Sequence, residues 1–190
     1  MSLLFSPLGL RGLELPNRIQ ISPMCQYSAN DGCMGDWHLM HLGNLALSGA
    51  GLLVIEATHV TRDGRITHGC CGLYDDANEQ ALDRVLRFVR AHSATPIGLQ
   101  LGHAGRKASS ARPWQGRAAL GPGEDPWPTL APSALAFGEG WPTPREASAD
   151  DLAAVRDAFV GATRRAARLG IDLIEVHAAH GYLLSTFLSP

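Results

Sequence analysis

Hydrophobic residues along this chain fall into two alternating kinds of run. Residues 51–57 and 96–101 are nearly continuous apolar stretches, and residues 171–176 are a stretch rich in β-branched and Leu side chains in which apolar and acidic residues alternate. Continuous apolar stretches are typical of parallel strands that are buried on both faces. Between them, apolar residues recur every three or four positions after Asn78 and after Ser148, as on the buried face of an amphipathic helix. The alternation predicts an α/β protein whose parallel sheet is covered by helices.

The first part of the chain adds a hairpin and one more strand–helix unit. Residues 3–15 alternate apolar positions with Gly and Pro and predict a hairpin. Residues 17–22 predict a first core strand that Pro23 stops. Asp36 is the predicted N-cap of a helix over 37–47.

The second half of the pattern contains a long connection. Asn78 and Ser148 are the predicted N-caps of the two later helices, and Gly170 is predicted to end the last one. Residues 103–148 lie between strand and helix and are rich in Pro and Gly. A connection of this length is often a lid or a binding loop. Residues 133–137 predict a short strand inside it.

Four strand–helix units follow one another, the last incomplete. Right-handed crossovers place the carboxyl end of every strand on one rim, and a (β/α)8 barrel builds its active site there. No Gly-x-Gly-x-x-Gly run follows the first strand, which argues against a Rossmann nucleotide site. A barrel needs about 250 residues. We therefore predict that residues 1–190 form one domain, which consists of the hairpin and about the first four β/α units of a (β/α)8 barrel.

The amino-acid composition limits the classes of partner that the chain is expected to bind. The 190 residues carry 16 basic and 18 acidic side chains, so no nucleic acid or membrane surface is expected as a partner. No apolar run is long enough to span a bilayer, and the start of the chain has no signal pattern. The four cysteines are few and irregularly spaced, which predicts reduced thiols in a cytoplasmic protein.

Polar chemistry arrives where the last predicted strand ends. His177, His180 and Tyr182 fall within six residues, and Gly181 between them permits a tight turn. Two imidazoles and a phenol can donate hydrogen bonds and protons toward one small acceptor. Gln100 lies in an otherwise apolar strand. A buried amide must find partners, and it could read the edge of a ring with alternating donors and acceptors.

Residue types alone leave other interpretations open. The i, i+3 spacing of His177 and His180 would also suit zinc in a barrel hydrolase if the segment were helical, with third and fourth ligands drawn from Glu56, Glu175 or His103. Alternatively, each imidazole is simply hydrogen-bonded at a strand end. An isolated cysteine such as Cys25 is more often a small buried apolar side chain, and Tyr27 more often packing. His103, Arg106 and Lys107 suit either an anion site or a solvated loop. The tryptophans of the long connection are expected to pin it down.

Five motifs lie in order along the chain: SPMCQY at 22–27, AGLLVIEA at 50–57, QLGHAGRKA at 100–108, APSA at 131–134 and HAAHGYL at 177–183. Together they resemble the Old Yellow Enzyme family. The cysteine form of the first motif is similar to that of the thermophilic-like branch of NADPH dehydrogenases and xenobiotic reductases.

The resemblance implies a barrel enzyme that uses FMN and NADPH to reduce activated alkenes and nitro compounds. It implies that the Cys25 thiol lies near the reactive edge of the flavin and that Gln100 bonds the pyrimidine edge. His177 and His180 would donate to the substrate oxygen with help from Tyr27, and Tyr182 would be the proton donor. The flavin-facing residues would be Ser22, Pro23, Met24, Cys25, Ala57 and Gln100.

Members of that family continue well past the position of Pro190. The chain is therefore expected to be the N-terminal half of such an enzyme, lacking a basic group at the flavin and the phosphate loops. Exposed strand edges and helix faces favour association, either into a homo-oligomer or with the missing C-terminal half. The 190-residue chain alone is expected to bind FMN weakly or not at all. A catalytically silent fragment that acts only in assembly is the remaining alternative.

Overall fold

The computed structural model describes residues 2–189, which form a parallel sheet, a hairpin and helices. In chain order the strands are β1 (Leu8–Leu10), β2 (Leu13–Leu15), β3 (Gln20–Ile21), β4 (Leu52–His59), β5 (Cys71–Gly72), β6 (Ile97–Gly102), β7 (Leu130–Ala131), β8 (Arg145–Glu146) and β9 (Leu173–Val176). The α-helices are α1 (Asp36–Ala46), α2 (Asp76–His92), α3 (Ala149–Arg168) and α4 (Leu183–Leu188).

The main sheet is parallel throughout, in the order β3-β4-β6-β9, and β5 pairs with β4. Helices α1, α2 and α3 connect successive strands of that order, so the predicted β/α units are confirmed. The predicted first strand is shorter than expected. The side chain of Asn17 accepts from the Ile19 N–H and donates to the Gly49 carbonyl, which leaves regular pairing only at β3.

The outer face of the sheet carries the main core. Alternate residues of β4 and β6 point toward the helices, because side chains along a strand alternate between the two faces. They meet the apolar stripes of α1, α2 and α3 in one cluster. Members that are at most 1% exposed include Leu53, Ile55, Leu82, Val85, Leu86, Leu99, Leu101 and Ala166.

The inner face is apolar only at the amino-terminal end of the strands. There Leu52, Val54 and Leu173 pack with Leu15 of the hairpin. The antiparallel β1–β2 hairpin, as predicted at 3–15, thus closes the amino-terminal end of the inner face. Polar chemistry is left to the carboxyl rim.

Two of the three predicted helix caps are wrong. Gly35 is the N-cap of α1, and Asp36 is its first helical residue. Asp75 caps α2 by accepting from the Asn78 N–H at 2.8 Å, and Asn78 is itself buried in the helix. Both segments offer several cap-forming residues within three positions, so sequence could not choose among them. Ser148 caps α3 as predicted.

The connection from 103 to 148 is irregular but packed. Short 3-10 turns occupy Gly105–Lys107 and Pro113–Gln115. The predicted strand at 133–137 is wrong, because the Leu135 N–H turns back to the Ser133 carbonyl. Strands β7 and β8 pair with each other on either side of that turn.

Within residues 2–189, no helix combines the length and apolarity needed to cross a bilayer. All four cysteines are free thiols, as expected. Helix α4 was not predicted, since its six residues lie beyond the last complete unit of the pattern.

Candidate functional site

A cluster of three rings follows β9 directly. His180 and Gly181 adopt φ values of +58° and +69°, so the chain turns sharply before α4 begins. The tight turn expected at Gly181 is confirmed, and the segment between β9 and α4 is not helical. The ring centroid of His177 lies 5.1 Å from that of His180 and 4.8 Å from that of Tyr182. The three predicted donors therefore gather at one point of the rim.

The geometry assigns the tautomer of His177. This imidazole is 8% exposed, and its Nδ1 accepts from the Ala179 N–H at 3.3 Å. A neutral ring that accepts at Nδ1 carries its proton on Nε2. Burial, followed by the neighbouring His180, lowers the pKa of His177 below its usual value. His177 is thus a neutral donor through Nε2–H.

Tyr182 is held as a protonated phenol beside it. Burial, reinforced by Cys25 and Tyr27, raises the pKa of Tyr182 well above its usual value. The Lys107 ammonium lies 5.0 Å from the Tyr182 ring centroid and donates to the His180 carbonyl at 2.8 Å. Lys107 therefore steadies both ends of the turn.

Cys25 and Tyr27 reach the same place from the loop after β3. With Tyr182, they pack against a small buried cluster, here called the mouth cluster, made of Ile66, Cys70, Ala104 and Ala108. Burial is also the main cause that raises the pKa of the Cys25 thiol, and it raises the pKa of Tyr27 to about 12. Both groups stay neutral at ordinary pH.

The backbone of Tyr27 is in the left-handed region, with φ of +52°. That conformation is costly for a bulky side chain. The Tyr27 carbonyl accepts from the Arg112 Nε at 3.0 Å, and the Trp114 ring meets the Tyr27 ring edge-on at 5.9 Å. The long connection therefore does more than cover the rim, because it also holds Tyr27.

Gln100 lies on the inner face, opposite Glu175 of β9 in the register. The Gln100 Nε2 donates to Glu175 Oε1 at 2.5 Å. The amide oxygen of Gln100 accepts no hydrogen bond from any residue within 2–189. The buried Ala57 lies at a register irregularity in β4, and its backbone hydrogen-bonds the Cys25 thiol.

The remaining predicted flavin contacts, Ser22, Pro23 and Met24, follow β3 in a segment without regular secondary structure. The Met24 side chain is 57% exposed, and its carbonyl accepts from the Gln26 side chain at 2.9 Å. These three residues connect β3 to Cys25 and so lie along the same rim.

The zinc alternative gains no support from the geometry. In the described part of the chain, the group of three ligand atoms within 4.8 Å of one another is His38, Glu56 and Cys71, which excludes His177 and His180. Of the ligands considered for such a site, Glu175 bonds Gln100. His103 accepts at Nδ1 from the Gly105 N–H, and burial lowers the His103 pKa to about 4.

The anion site considered at His103, Arg106 and Lys107 is not formed either. His103 is buried, while Lys107 is engaged with His180 and lies 4.8 Å from the centroid of the Phe137 ring. The Arg106 Nη1 is 3.5 Å from the Leu135 carbonyl. The three side chains therefore contact different neighbours and do not converge on one point.

A cavity of about 240 Å³ opens over the two tyrosines. Its lining includes Tyr27 and Tyr182 from the rim, and Arg117 and Trp141 from the long connection, but no carboxylate. No motif or periodicity in the sequence pointed to Arg117. The lid or binding role expected for residues 103–148 is the nearest hint.

The parallel sheet with its connecting helices, closed at one end by the hairpin, has the architecture of a partial (β/α) barrel. The chain belongs to the NADH:flavin oxidoreductase / NADH oxidase family, whose model matches residues 3–190.

Known proteins cover the chain but extend beyond it. An NADH:flavin oxidoreductase of Gibberella zeae is 46% identical over 190 residues, which are 98% of this chain and 46% of the relative. An NADPH dehydrogenase of Geobacillus thermodenitrificans is 43% identical over 100% of this chain and 52% of its own length. The chain spans about half the length of these curated relatives.

Solved structures agree on the fold. Morphinone reductase superposes with a TM-score of 0.82 at 31% identity, over 98% of this chain and 50% of its own. Old Yellow Enzyme from Pichia sp. AKU4542 gives 0.84 at 27% identity, over 99% and 49%. The predicted barrel family and the recognised enzyme family are therefore confirmed.

Proposed function

We propose that this chain carries the substrate-facing half of an FMN-dependent NADPH oxidoreductase that reduces activated alkenes or nitro compounds. The observation that supports it most is the His177 Nε2–H donor, on a ring whose centroid lies 5.1 Å from that of a second imidazole and 4.8 Å from that of a protonated phenol. The names of the family and of its NADPH dehydrogenase members agree with this proposal.

The residues on the inner face fit a flavin ring. Gln100 presents an amide oxygen without a protein partner, which suits the N–H of a pyrimidine edge. Met24 and the neutral Cys25 thiol offer apolar and polarisable contacts beside it. Ser22, Pro23 and the Ala57 backbone would complete the contact. When bound, FMN supplies the hydride chemistry, while the protein supplies orientation and hydrogen bonds.

His177 and His180 would hold the carbonyl or nitro oxygen of the substrate. Negative charge builds on that oxygen as the β carbon is reduced, and preset donors stabilise it. Losing one such donor costs about 3–4 kcal/mol in the barrier. Tyr27 would assist from the other side of the cavity. The same donors would hold the carboxamide of the reduced nicotinamide, with NADPH as the reductant.

Tyr182 would deliver the proton to the α carbon. Its phenol keeps its proton because burial raises the Tyr182 pKa, and the group is therefore present as an acid at neutral pH. Because its raised pKa keeps the Tyr182 phenol neutral, the phenol adds no second negative charge beside the developing enolate.

The proposal also requires further polypeptide that covers the exposed surfaces of this chain and completes the enzyme. β9 is an edge strand in the described sheet, and Leu188 is 78% exposed. These surfaces would be covered by a C-terminal half or by further copies of the chain. A cytoplasmic location is supported by four cysteines that are all free thiols.

The test combines this chain with the C-terminal half of the Geobacillus thermodenitrificans relative, FMN and NADPH, and follows reduction of 2-cyclohexenone. Tyr182→Phe is expected to slow alkene reduction about 10²–10⁴-fold while flavin reduction by NADPH stays near the unmodified rate. His177→Ala should slow both half-reactions.

Tyr74→Phe is the matched control, because the Tyr74 hydroxyl donates to the Asp31 carbonyl away from the rim. Flavin-independent turnover, or equal rates for Tyr182→Phe and Tyr74→Phe, would contradict the proposal. The chain tested alone is expected to bind FMN weakly.

A further inference from the structure

A buried carboxylate lies directly behind the rim. Glu56 of β4 is 4% exposed, and its Oε2 accepts from the backbone N–H of Gln26 at 2.8 Å. An ionised carboxylate is costly to bury unless donors surround it. The remaining oxygen therefore needs partners, and the structure supplies two.

The first partner is the fully buried imidazole of His38. Its Nδ1 accepts from the Gly35 N–H at 3.1 Å, so its proton is on Nε2. This Nε2 lies 3.5 Å from Glu56 Oε1 and 3.4 Å from Cys71 Sγ. The N–H therefore donates to the sulfur and lies beside the carboxylate.

The second partner is the Cys71 thiol. Burial, and then the charge of Glu56, raise the Cys71 pKa well above its usual value, and the thiol is hydrogen-bonded to Glu56. Cys71 thus keeps its S–H and donates it. Groups from three separate segments therefore surround Glu56: the Gln26 N–H of the loop after β3, the His38 imidazole in the first turn of α1, and the Cys71 thiol of β5.

The loop that Glu56 holds is the one that carries the rim residues. Gln26 separates Cys25 from Tyr27, and Tyr27 needs external support for its left-handed backbone. The residue after Glu56, Ala57, hydrogen-bonds the Cys25 thiol through its backbone. Glu56 is also one of the charges that raise the pKa of that thiol.

We propose that Glu56, held by His38 and Cys71, is a positioning residue that fixes the Cys25–Tyr27 loop at the barrel mouth. Its consequence for catalysis rests on the proposed function, because only then do Cys25 and Tyr27 face flavin and substrate. The positioning itself is a property of the chain without any ligand.

A cation held by His38, Glu56 and Cys71 is the competing explanation, since their ligand atoms lie within 4.8 Å. Each of these atoms already has a hydrogen-bonding role: Glu56 accepts, while His38 and Cys71 donate. A cation would need the Cys71 thiolate, which burial and Glu56 disfavour. Hydrogen bonding therefore accounts for the cluster without a metal.

Amide hydrogen exchange tests the positioning directly. In the unmodified chain, the Gln26 amide should be protected, whereas the Ser28 amide of the same loop, which has no acceptor within residues 2–189, should exchange freely. In Glu56→Gln, exchange at Gln26 should be roughly 10- to 100-fold faster, because the acceptor of its hydrogen bond loses its charge and the bond weakens. Glu14→Gln, an exposed carboxylate of β2, is the matched control and should change nothing.

Thiol alkylation separates the charge of Glu56 from simple loosening of the loop. In a Cys33→Ser background, Cys25 is the remaining thiol that is not buried. Loosening alone would raise the alkylation rate at every pH. Loss of the carboxylate charge should also move the pH profile of alkylation toward lower pH.

His38→Gln, whose amide retains a donor for the carboxylate, should keep Gln26 protection within about 3-fold of the unmodified chain.

Three results would overturn the proposal. One is a Gln26 amide that exchanges as fast as Ser28 in the unmodified chain, a measurement that does not require any variant to fold. Another is a folded Glu56→Gln variant with unchanged exchange and alkylation profiles. The third is one zinc ion per chain whose removal by a chelator reproduces the Glu56→Gln behaviour. None of these measurements involves flavin or turnover, so their outcome is independent of the proposed function.

Discussion

Two buried histidines should make the stability of this chain depend on pH well above the range where carboxylates titrate. His59 and His103 are 2% and 3% exposed. Burial lowers the pKa of His59 to about 3 and that of His103 to about 4. Because the folded pKa values are depressed, each imidazole stabilises the fold fully above its unfolded pKa of about 6.5. That contribution is lost as the pH falls toward the folded value.

The magnitude follows from linkage. Each histidine that protonates in the unfolded chain but not in the folded one changes the free energy of unfolding by about 1.4 kcal/mol per pH unit. Between pH 7.5 and pH 5 this gives about 2 kcal/mol per residue, or about 4 kcal/mol for the pair. The pKa values of Asp31 and Glu79 are lowered by their arginine partners. Their contribution is lost only below about pH 4.5, outside this window.

Urea unfolding at several pH values between 5 and 7.5 measures the slope. His59→Asn keeps a donor for the Cys71 carbonyl, and His103→Asn keeps an acceptor for the Gly105 N–H. Each variant should lower the slope by about 1.4 kcal/mol per pH unit near pH 5.5. His92→Asn, at an exposed position, should leave it unchanged. A flat stability profile for the unmodified chain, or slopes insensitive to both buried substitutions, would refute the reasoning.

Three further predictions concern helix α3 and the support of the rim. Ser148→Ala removes the side chain that accepts from the Asp151 N–H and should lower the free energy of unfolding by about 1 kcal/mol, measured in urea. Gly161→Ala adds a methyl group that meets nothing within 4 Å and should stabilise α3 by about 0.5–1 kcal/mol. Gly69→Ala would place its Cβ 2.2 Å from the Tyr27 carbonyl and should destabilise by on the order of 3 kcal/mol. Equal melting temperatures for Gly161→Ala and Gly69→Ala would contradict the last two expectations.

The hydrophobic pattern predicted the sheet well because burial on both faces leaves a strong signal. Leu52 to Ile55 are all at most 2% exposed in β4, and a continuous apolar run is the direct consequence. Caps and irregular segments were predicted less well. The choice between Asp75 and Asn78 depends on which side chain accepts the first free N–H, and three residues of sequence cannot decide that.

Part of the rim followed from sequence in the same way. His177, His180 and Tyr182 are adjacent in the chain, so their proximity needed only a turn at Gly181. Arg117, Trp141 and the Glu56 network required tertiary structure, because their partners are remote in sequence. The Gln26 N–H that Glu56 accepts is 30 residues away. No periodicity encodes such a contact.

The rim shows a consistent relation between backbone strain and support. Tyr27 and His180 both have a positive φ, and a non-glycine residue in that region persists only where its surroundings hold it. The Tyr27 carbonyl is held by Arg112 and the His180 carbonyl by Lys107, and both basic residues lie in the connection between β6 and α3. That connection therefore supports the two strained residues through their carbonyls. Glu56 of β4 holds the same loop through the Gln26 N–H, just before Tyr27. If either support were removed, the donors of the rim would be expected to lose their common orientation before the sheet lost any stability.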